Sequence, residues 1–175
     1  MAMYIEKIKK DWSGFSSKKK VKIPHFEKEV KLYLGEEFDE DGEEIEIPPT
    51  NQQLVEFEQT LKGFLNDIDN IIIDIQQSAF EYYQGIYEKY YEKPFEVLFE
   101  NSMVQATKNG ELHSPLNIDT KEKHFEYMKD ILGAIRILEN KTIRISIHYA
   151  LDEEHGLELK IVNNKVEKID GIAET

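Results

Sequence analysis

At 175 residues, with 40% hydrophobic and 33% charged positions, the chain is long enough to bury one core and too apolar for a disordered segment. It contains no cysteine, which excludes disulfide staples, thiolate metal sites and a cysteine nucleophile, and its longest apolar runs, such as Ile71-Ile72-Ile73, are far too short to span a bilayer. A formal charge of −13 repels phosphate backbones, so nucleic acid is disfavoured as a partner and a basic protein is favoured. The expectation is a single α+β domain over residues 1–175, cytoplasmic and not membrane-bound.

Residues 1–33 hold nine lysines and four acids, whereas the remainder holds thirteen basic and thirty-one acidic side chains. The run Lys18-Lys19-Lys20 with Lys22 reads as a solvated strand edge and receives no function. Residues 12–15 and 21–24 read as short strand pieces broken by turns, and residues 29–34 alternate, with Val30, Leu32 and Leu34 on one face. Residues 36–46 then place eight acids and no base in eleven positions around Asp41-Gly42, the dipeptide of a tight turn, so a hairpin is expected over 36–47. The segment is not a calcium loop: with Gly42 at the obligatory glycine, Pro48 falls where the bidentate glutamate belongs.

Pro48-Pro49 stops that strand, and Thr50 with Gln53 forms a capping box that starts a helix. From Leu54 to Tyr90 apolar residues recur at helical spacing, interrupted at Gly63 and at Asn66-Asp67, which predicts a kinked long helix or two consecutive helices ending before Pro94 and covering a sheet. The aromatic side chains Phe80, Tyr82, Tyr83, Tyr87, Tyr90 and Tyr91 read as packing, although residues 82–91 are also the candidate face of a homodimer. Residues 95–118 are weakly patterned, with turns at Asn109-Gly110 and Ser114-Pro115. Asp119 and Glu122 are expected to cap a helix through Leu132, with Phe125, Met128 and Leu132 inward. Residues 134–138 begin a set of strands, Ile143, Ile145, Ile147 and Tyr149 share a face, Leu157, Leu159 and Ile161 line the partner strand, and Asn163-Asn164 turns into residues 166–169. The expected fold class is α+β, with antiparallel sheet or sheets packed with a long helix or two consecutive helices and a C-terminal β-meander.

The turn Asp152-Glu153-Glu154-His155-Gly156 concentrates polar chemistry between two alternating apolar runs. Carboxylates beside an imidazole, with His148 one strand step away, are the residue types of a divalent metal site or an acid–base pair. The spacing suits neither: adjacent glutamates in a tight turn diverge, no second histidine follows at helical spacing, and no serine or threonine sits in a nucleophile elbow. The structural reading has Asp152 accepting backbone N–H groups, His155 bonding a neighbouring carbonyl or carboxylate, and Gly156 supplying a permissive φ. No catalytic residue, metal ligand or cofactor is assigned.

Four features occur in order: Trp12-Ser13-Gly14, an acidic strand leading to Pro49-Thr50-Asn51-Gln52-Gln53, a helix ending in Glu81-Tyr82-Tyr83, and Asp152-Glu153-Glu154-His155-Gly156-Leu157 followed by Asn163-Asn164-Lys165-Val166. This order resembles a bacterial family of uncharacterised domains over nearly the whole chain. It departs from the family at Leu151, where a tryptophan usually stands, and in its lysine-rich start. The resemblance implies an α+β domain without an established enzyme activity, some of whose relatives look like immunity proteins that neutralise polymorphic toxins. The expected function is therefore a non-enzymatic binding module that meets a basic toxin domain through Glu37, Asp39, Glu40, Asp41, Glu43, Glu44, Asp152, Glu153 and Glu154, because concentrated carboxylates speed association and choose partners by charge. The alternatives are a structural or regulatory homodimer, and a hydrolase or metal enzyme in which Asp152, Glu154 and His155 converge with His113 or His148.

Overall fold

The computed structural model describes residues 3–93, 95–106 and 114–174 and shows a mixed α+β protein with a large, mostly antiparallel sheet and four helices. In chain order the strands are β1 (Lys9–Asp11), β2 (Gly14–Lys22), β3 (Glu29–Leu34), β4 (Phe95–Phe99), β5 (Ser102–Ala106), β6 (Ile131–Leu138), β7 (Thr142–Ile147), β8 (Leu157–Val162) and β9 (Lys165–Asp170). The helices are α1 (Asn51–Asn66), α2 (Ile68–Ile86), α3 (Glu88–Tyr91) and α4 (Lys121–Phe125). The chain divides into two compact units, one of residues 1–75 with 127–175 and the other of residues 76–126, with α2 beginning in the first and ending in the second.

In the first unit seven strands pair in the order β1-β2-β3-β6-β7-β8-β9. Alternation does what the sequence pattern demands: Val30, Leu32 and Leu34 of β3, Ile135 and Ile137 of β6, Ile143, Ile145 and Ile147 of β7, and Leu157, Leu159 and Ile161 of β8 are buried. Phe57, Leu61 and Phe64 of α1 and Ile68, Ile71, Ile72 and Ile75 of α2 are buried too. Each such side chain contributes roughly 1.5–3 kcal/mol through removal from water. Polar bonds fix α1: the Glu58 carboxylate accepts the Tyr4 and Ile5 N–H groups at 2.9 Å, and Glu56 accepts that of Asn140 at 2.9 Å.

The expectation of purely antiparallel pairing is corrected at one place: β3 and β6 run parallel, with Tyr33 opposite Arg136. Parallel neighbours need a long crossover, and the chain between Leu34 and Ile131 supplies it. Three local expectations change as well. Strand β2 runs unbroken through residues 14–22, and Trp12-Ser13 is the turn before it. Residues 36–47 form no paired strands, only an isolated bridge between Phe38 and Glu44, because eight mutually repelling carboxylates leave little to pair a ladder. The helix after Thr120, which caps it in place of Asp119, ends at Phe125, so Leu132 belongs to β6 and is 52% exposed. The break between α1 and α2 falls at Asp67, whose N–H still reaches the Gly63 and Phe64 carbonyls, while the Thr50–Gln53 capping box forms as the sequence predicts.

The second unit holds the end of α2, α3, the antiparallel β4–β5 pair and α4. Its centre is polar and aromatic. Glu92 accepts the Tyr83 hydroxyl at 2.9 Å and the Asn117 and Ile118 N–H groups at 2.8 Å, and the Tyr83 ring lies 5.1 Å from that of the buried His124. Burial pushes the His124 imidazole down to about 4. Pro94, Asn109-Gly110 and His113 lie outside the described residues.

Candidate functional site

The acidic segment is a shaped loop. Asp39 N–H donates to the Glu43 carbonyl at 2.9 Å, Ile45 N–H to the Glu37 carbonyl at 2.9 Å, and the Asp39 carboxylate accepts the Asp41 and Glu43 N–H groups at 3.0 and 2.9 Å. Gly42 sits at φ 80°, a conformation glycine adopts without strain. Asp39 is thereby engaged inside the loop that displays its neighbours. The inner carboxylates have cations of their own: Glu36 lies 3.3 Å from Arg144, Glu37 3.9 Å from Arg136, and Glu44 and Glu46 3.4 and 2.8 Å from Lys10. Among the described residues, the exposed carboxylates of Glu40, Asp41 and Glu43 have no such partner. The tip is therefore a preformed cluster of three free negative charges.

Beside the loop lies the sheet face opposite the buried isoleucines. The triplets Ile135-Arg136-Ile137 and Ile143-Arg144-Ile145 bury their isoleucines on one side and send both arginines of the chain to the other, where Arg136 and Arg144 stand opposite each other. Arg136 donates from Nη1 to the Gly35 carbonyl at 2.7 Å and from Nη2 to the Ser13 carbonyl at 2.9 Å, with its guanidinium 4.9 Å from the centre of the Tyr33 ring. Burial lowers its pKa, opposed by Glu37 and Glu36, and the group stays cationic as arginines do.

A groove of about 550 Å³ on this face is lined by Trp12, Phe38, Leu132, Arg136 and Arg144 among others. Trp12 occupies the turn between β1 and β2, where Ser13 N–H bonds the Asp11 carboxylate at 3.0 Å. Leu132 sits where the β6–β7 register shifts between Ile131 and Ile135, with Gly133 at φ 74°. Alternation with the buried Ile131 and Ile135 puts Leu132 on the same side of the strand as Arg136.

The terminal acidic turn is built differently. The Asp152 carboxylate accepts the His155 backbone N–H at 3.1 Å and pairs with its ring Nδ1 at 3.0 Å, an interaction that raises the His155 pKa. Gly156 N–H closes the turn on the Asp152 carbonyl at 2.9 Å, at φ 63°. Glu153 lies 3.7 Å from His148, and Glu154 is exposed. A 430 Å³ hollow is lined by His148, Glu153, Glu154 and His155, and the half-buried Asp152 lies outside its lining. Among the described residues no group of three or more His, Asp or Glu side chains is arranged to hold a metal ion. In residues 82–91, the candidate homodimer face, Tyr82, Tyr87, Tyr90 and Tyr91 are half-buried and Ile86 is the exposed large apolar side chain.

Sequence reasoning found the acids and missed Trp12, Leu132, Arg136 and Arg144. The available signal was the pair of Ile-Arg-Ile triplets, which place an arginine on the solvent side of two neighbouring strands. Comparisons with protein-family models, curated proteins and solved structures find no match for this chain. Among the described residues no helix is long and apolar enough to cross a membrane.

Proposed function

We propose that the protein is a non-enzymatic binding module that captures a basic partner protein on the acidic loop of residues 36–46, as an immunity protein does with a toxin domain. The observation that carries this reading is the tip itself: Glu40, Asp41 and Glu43 project from a loop held by Asp39 and Gly42, with carboxylates not spent on internal cations. Charges held in place before encounter steer association and select partners of opposite sign. Glu37 and Glu44 then form the inner part of the surface, and Asp152, Glu153 and Glu154 a second acidic patch. The architecture serves this display. Within the first unit, α1 and residues 68–75 of α2 cover one face of the sheet, the β6–β9 meander extends it, and the acidic loop lies beside the other face.

The test compares the protein with a Glu40→Lys, Asp41→Lys, Glu43→Lys variant in binding a candidate partner, the product of any gene found next to its own. Fast association that slows with added salt and with the variant supports the reading. A partner that is acidic, or binding insensitive to both salt and charge reversal, removes it.

A further inference from the structure

Charge accounts for the tip but not for the apolar side chains next to it. Trp12, the one tryptophan of the chain, is 85% exposed, and Phe38 and Leu132 are each 52% exposed, yet all three line a single groove. Exposed apolar residues scattered over a surface need no explanation, whereas a cluster rimmed by charge is a mark of an interaction site. The three come from separate segments: the β1–β2 turn, the acidic loop and the bulge of β6. One side chain joins these segments. Arg136, on β6, bonds the carbonyl of Ser13, the residue after Trp12, and the carbonyl of Gly35, three residues before Phe38. Its planar fork reaches both carbonyls at once, which a lysine ammonium does not reproduce. Phe38 in turn precedes the acidic tip directly, so apolar groove and free carboxylates share one loop.

We infer that the groove of Trp12, Phe38 and Leu132 receives a large apolar side chain of the partner, that lysines or arginines flanking this side chain meet Glu40, Asp41 and Glu43, and that Arg136 is the positioning residue that holds the groove formed beforehand. The inference rests on the reading of the acidic loop as the partner surface. Charge complementarity decides the occupant: a second copy brings another −13 and is repelled, whereas a basic segment is attracted. Aromatic anchors surrounded by a charged rim are where binding energy concentrates, and a groove fixed before encounter avoids the entropy of ordering it.

The probe is a random peptide library displayed on phage and selected against the full chain. Enriched peptides are expected to place a large apolar residue beside two or more lysines or arginines, and a synthetic copy to shift Trp12 emission to shorter wavelength on binding. Phe38→Ala and Leu132→Ala, at half-exposed positions that leave the core intact, each weaken that peptide by roughly tenfold. Arg136→Lys weakens it too and lowers the fluorescence anisotropy of Trp12 in the free protein, a change a merely electrostatic role does not produce. Basic peptides that leave Trp12 emission unchanged and tolerate Phe38→Ala and Leu132→Ala overturn the groove while the acidic-tip reading stands. Enrichment of acidic or uncharged peptides, or of none, overturns both.

Discussion

Arg136 on β6 faces Arg144 across the β6–β7 ladder, a placement in which like charges repel unless each has its own counter-ion. The counter-ions are consecutive residues: Glu36 lies 3.3 Å from Arg144 and Glu37 3.9 Å from Arg136. The first two acids of the loop thus tie its root to the sheet, Glu44 and Glu46 are held by Lys10, and Glu40, Asp41 and Glu43 between them are left to face a partner.

Removing that tie has a measurable cost. Glu36→Gln together with Glu37→Gln is expected to lower stability by roughly 1 kcal/mol in urea denaturation, with the deficit shrinking as salt is added, since half-exposed ion pairs contribute little each and are screened. Stability equal to that of the unmodified protein at low salt would show that the arginines do not need these acids.

The tip behaves in the opposite way. Glu40→Lys, Asp41→Lys and Glu43→Lys together should leave stability within about 0.5 kcal/mol, because surface positions without partners contribute little to folding. Asp39→Ala, in contrast, removes the acceptor of two backbone N–H groups, and hydrogen exchange at Asp41 and Glu43 should accelerate. Unchanged exchange there would mean that Asp39 does not shape the loop.

His124 gives the second unit a pH dependence. Its pKa in the folded chain, about 4, lies below the 6.5 of the unfolded chain, so between these values the unfolded state holds a proton that the folded state lacks. Stability is unaffected by this group above pH 6.5 and falls as pH drops toward 4, by on the order of 3 kcal/mol in total. The exposed His155 works in the reverse sense: held protonated by Asp152, it stabilises below its unfolded pKa, and the contribution is lost as pH rises through the raised folded value. Melting temperatures of the protein and of His124→Leu, compared from pH 7 to pH 4, should diverge from acid-titrating carboxylates alone only in the histidine-containing chain. Parallel curves would contradict this.

Gly156→Ala should lower stability by roughly 1–3 kcal/mol, read from thermal denaturation. A Cβ there lies 2.5 Å from Ile172 Cδ1 and 3.3 Å from the Ile147 carbonyl oxygen, at φ 63°. The Ile172 methyl can rotate away, but the backbone oxygen and the left-handed conformation cannot be relieved in the same manner. An unaltered melting temperature would mean that the turn adjusts freely.

Elements fixed by neighbours in sequence were the legible ones. The Thr50–Gln53 box, the 3.6-residue period of α1 and α2, the alternation of β3, β7 and β8 and the Asn163-Asn164 turn, both residues at positive φ, are local chemistry. The parallel pairing of β3 with β6 was not legible, because nothing local to either strand names a partner so far along the chain. Leu132 is illegible for a related reason: its spacing from Phe125 and Met128 is helical, and the strand that places it outward, between the buried Ile131 and Ile135, depends on pairing with β3 and β7. In the candidate site, composition revealed the acids. It could not separate Glu40, Asp41 and Glu43, which are free, from Glu36, Glu37, Glu44 and Glu46, which Arg144, Arg136 and Lys10 neutralise, since those cations arrive from other strands.

The central claim is that a basic partner is held by the free tip and the groove beside it. The most direct measurement immobilises the full chain and its Glu40→Lys, Asp41→Lys, Glu43→Lys variant side by side, identifies by mass spectrometry what each retains from the source organism at low and high salt, and follows Trp12 emission as the purified captive is added. The account predicts a protein of high isoelectric point that is retained by the unmodified chain alone, released by salt, and accompanied by a blue shift of Trp12. Retention of the same proteins by both chains, or an acidic captive indifferent to salt, would contradict it.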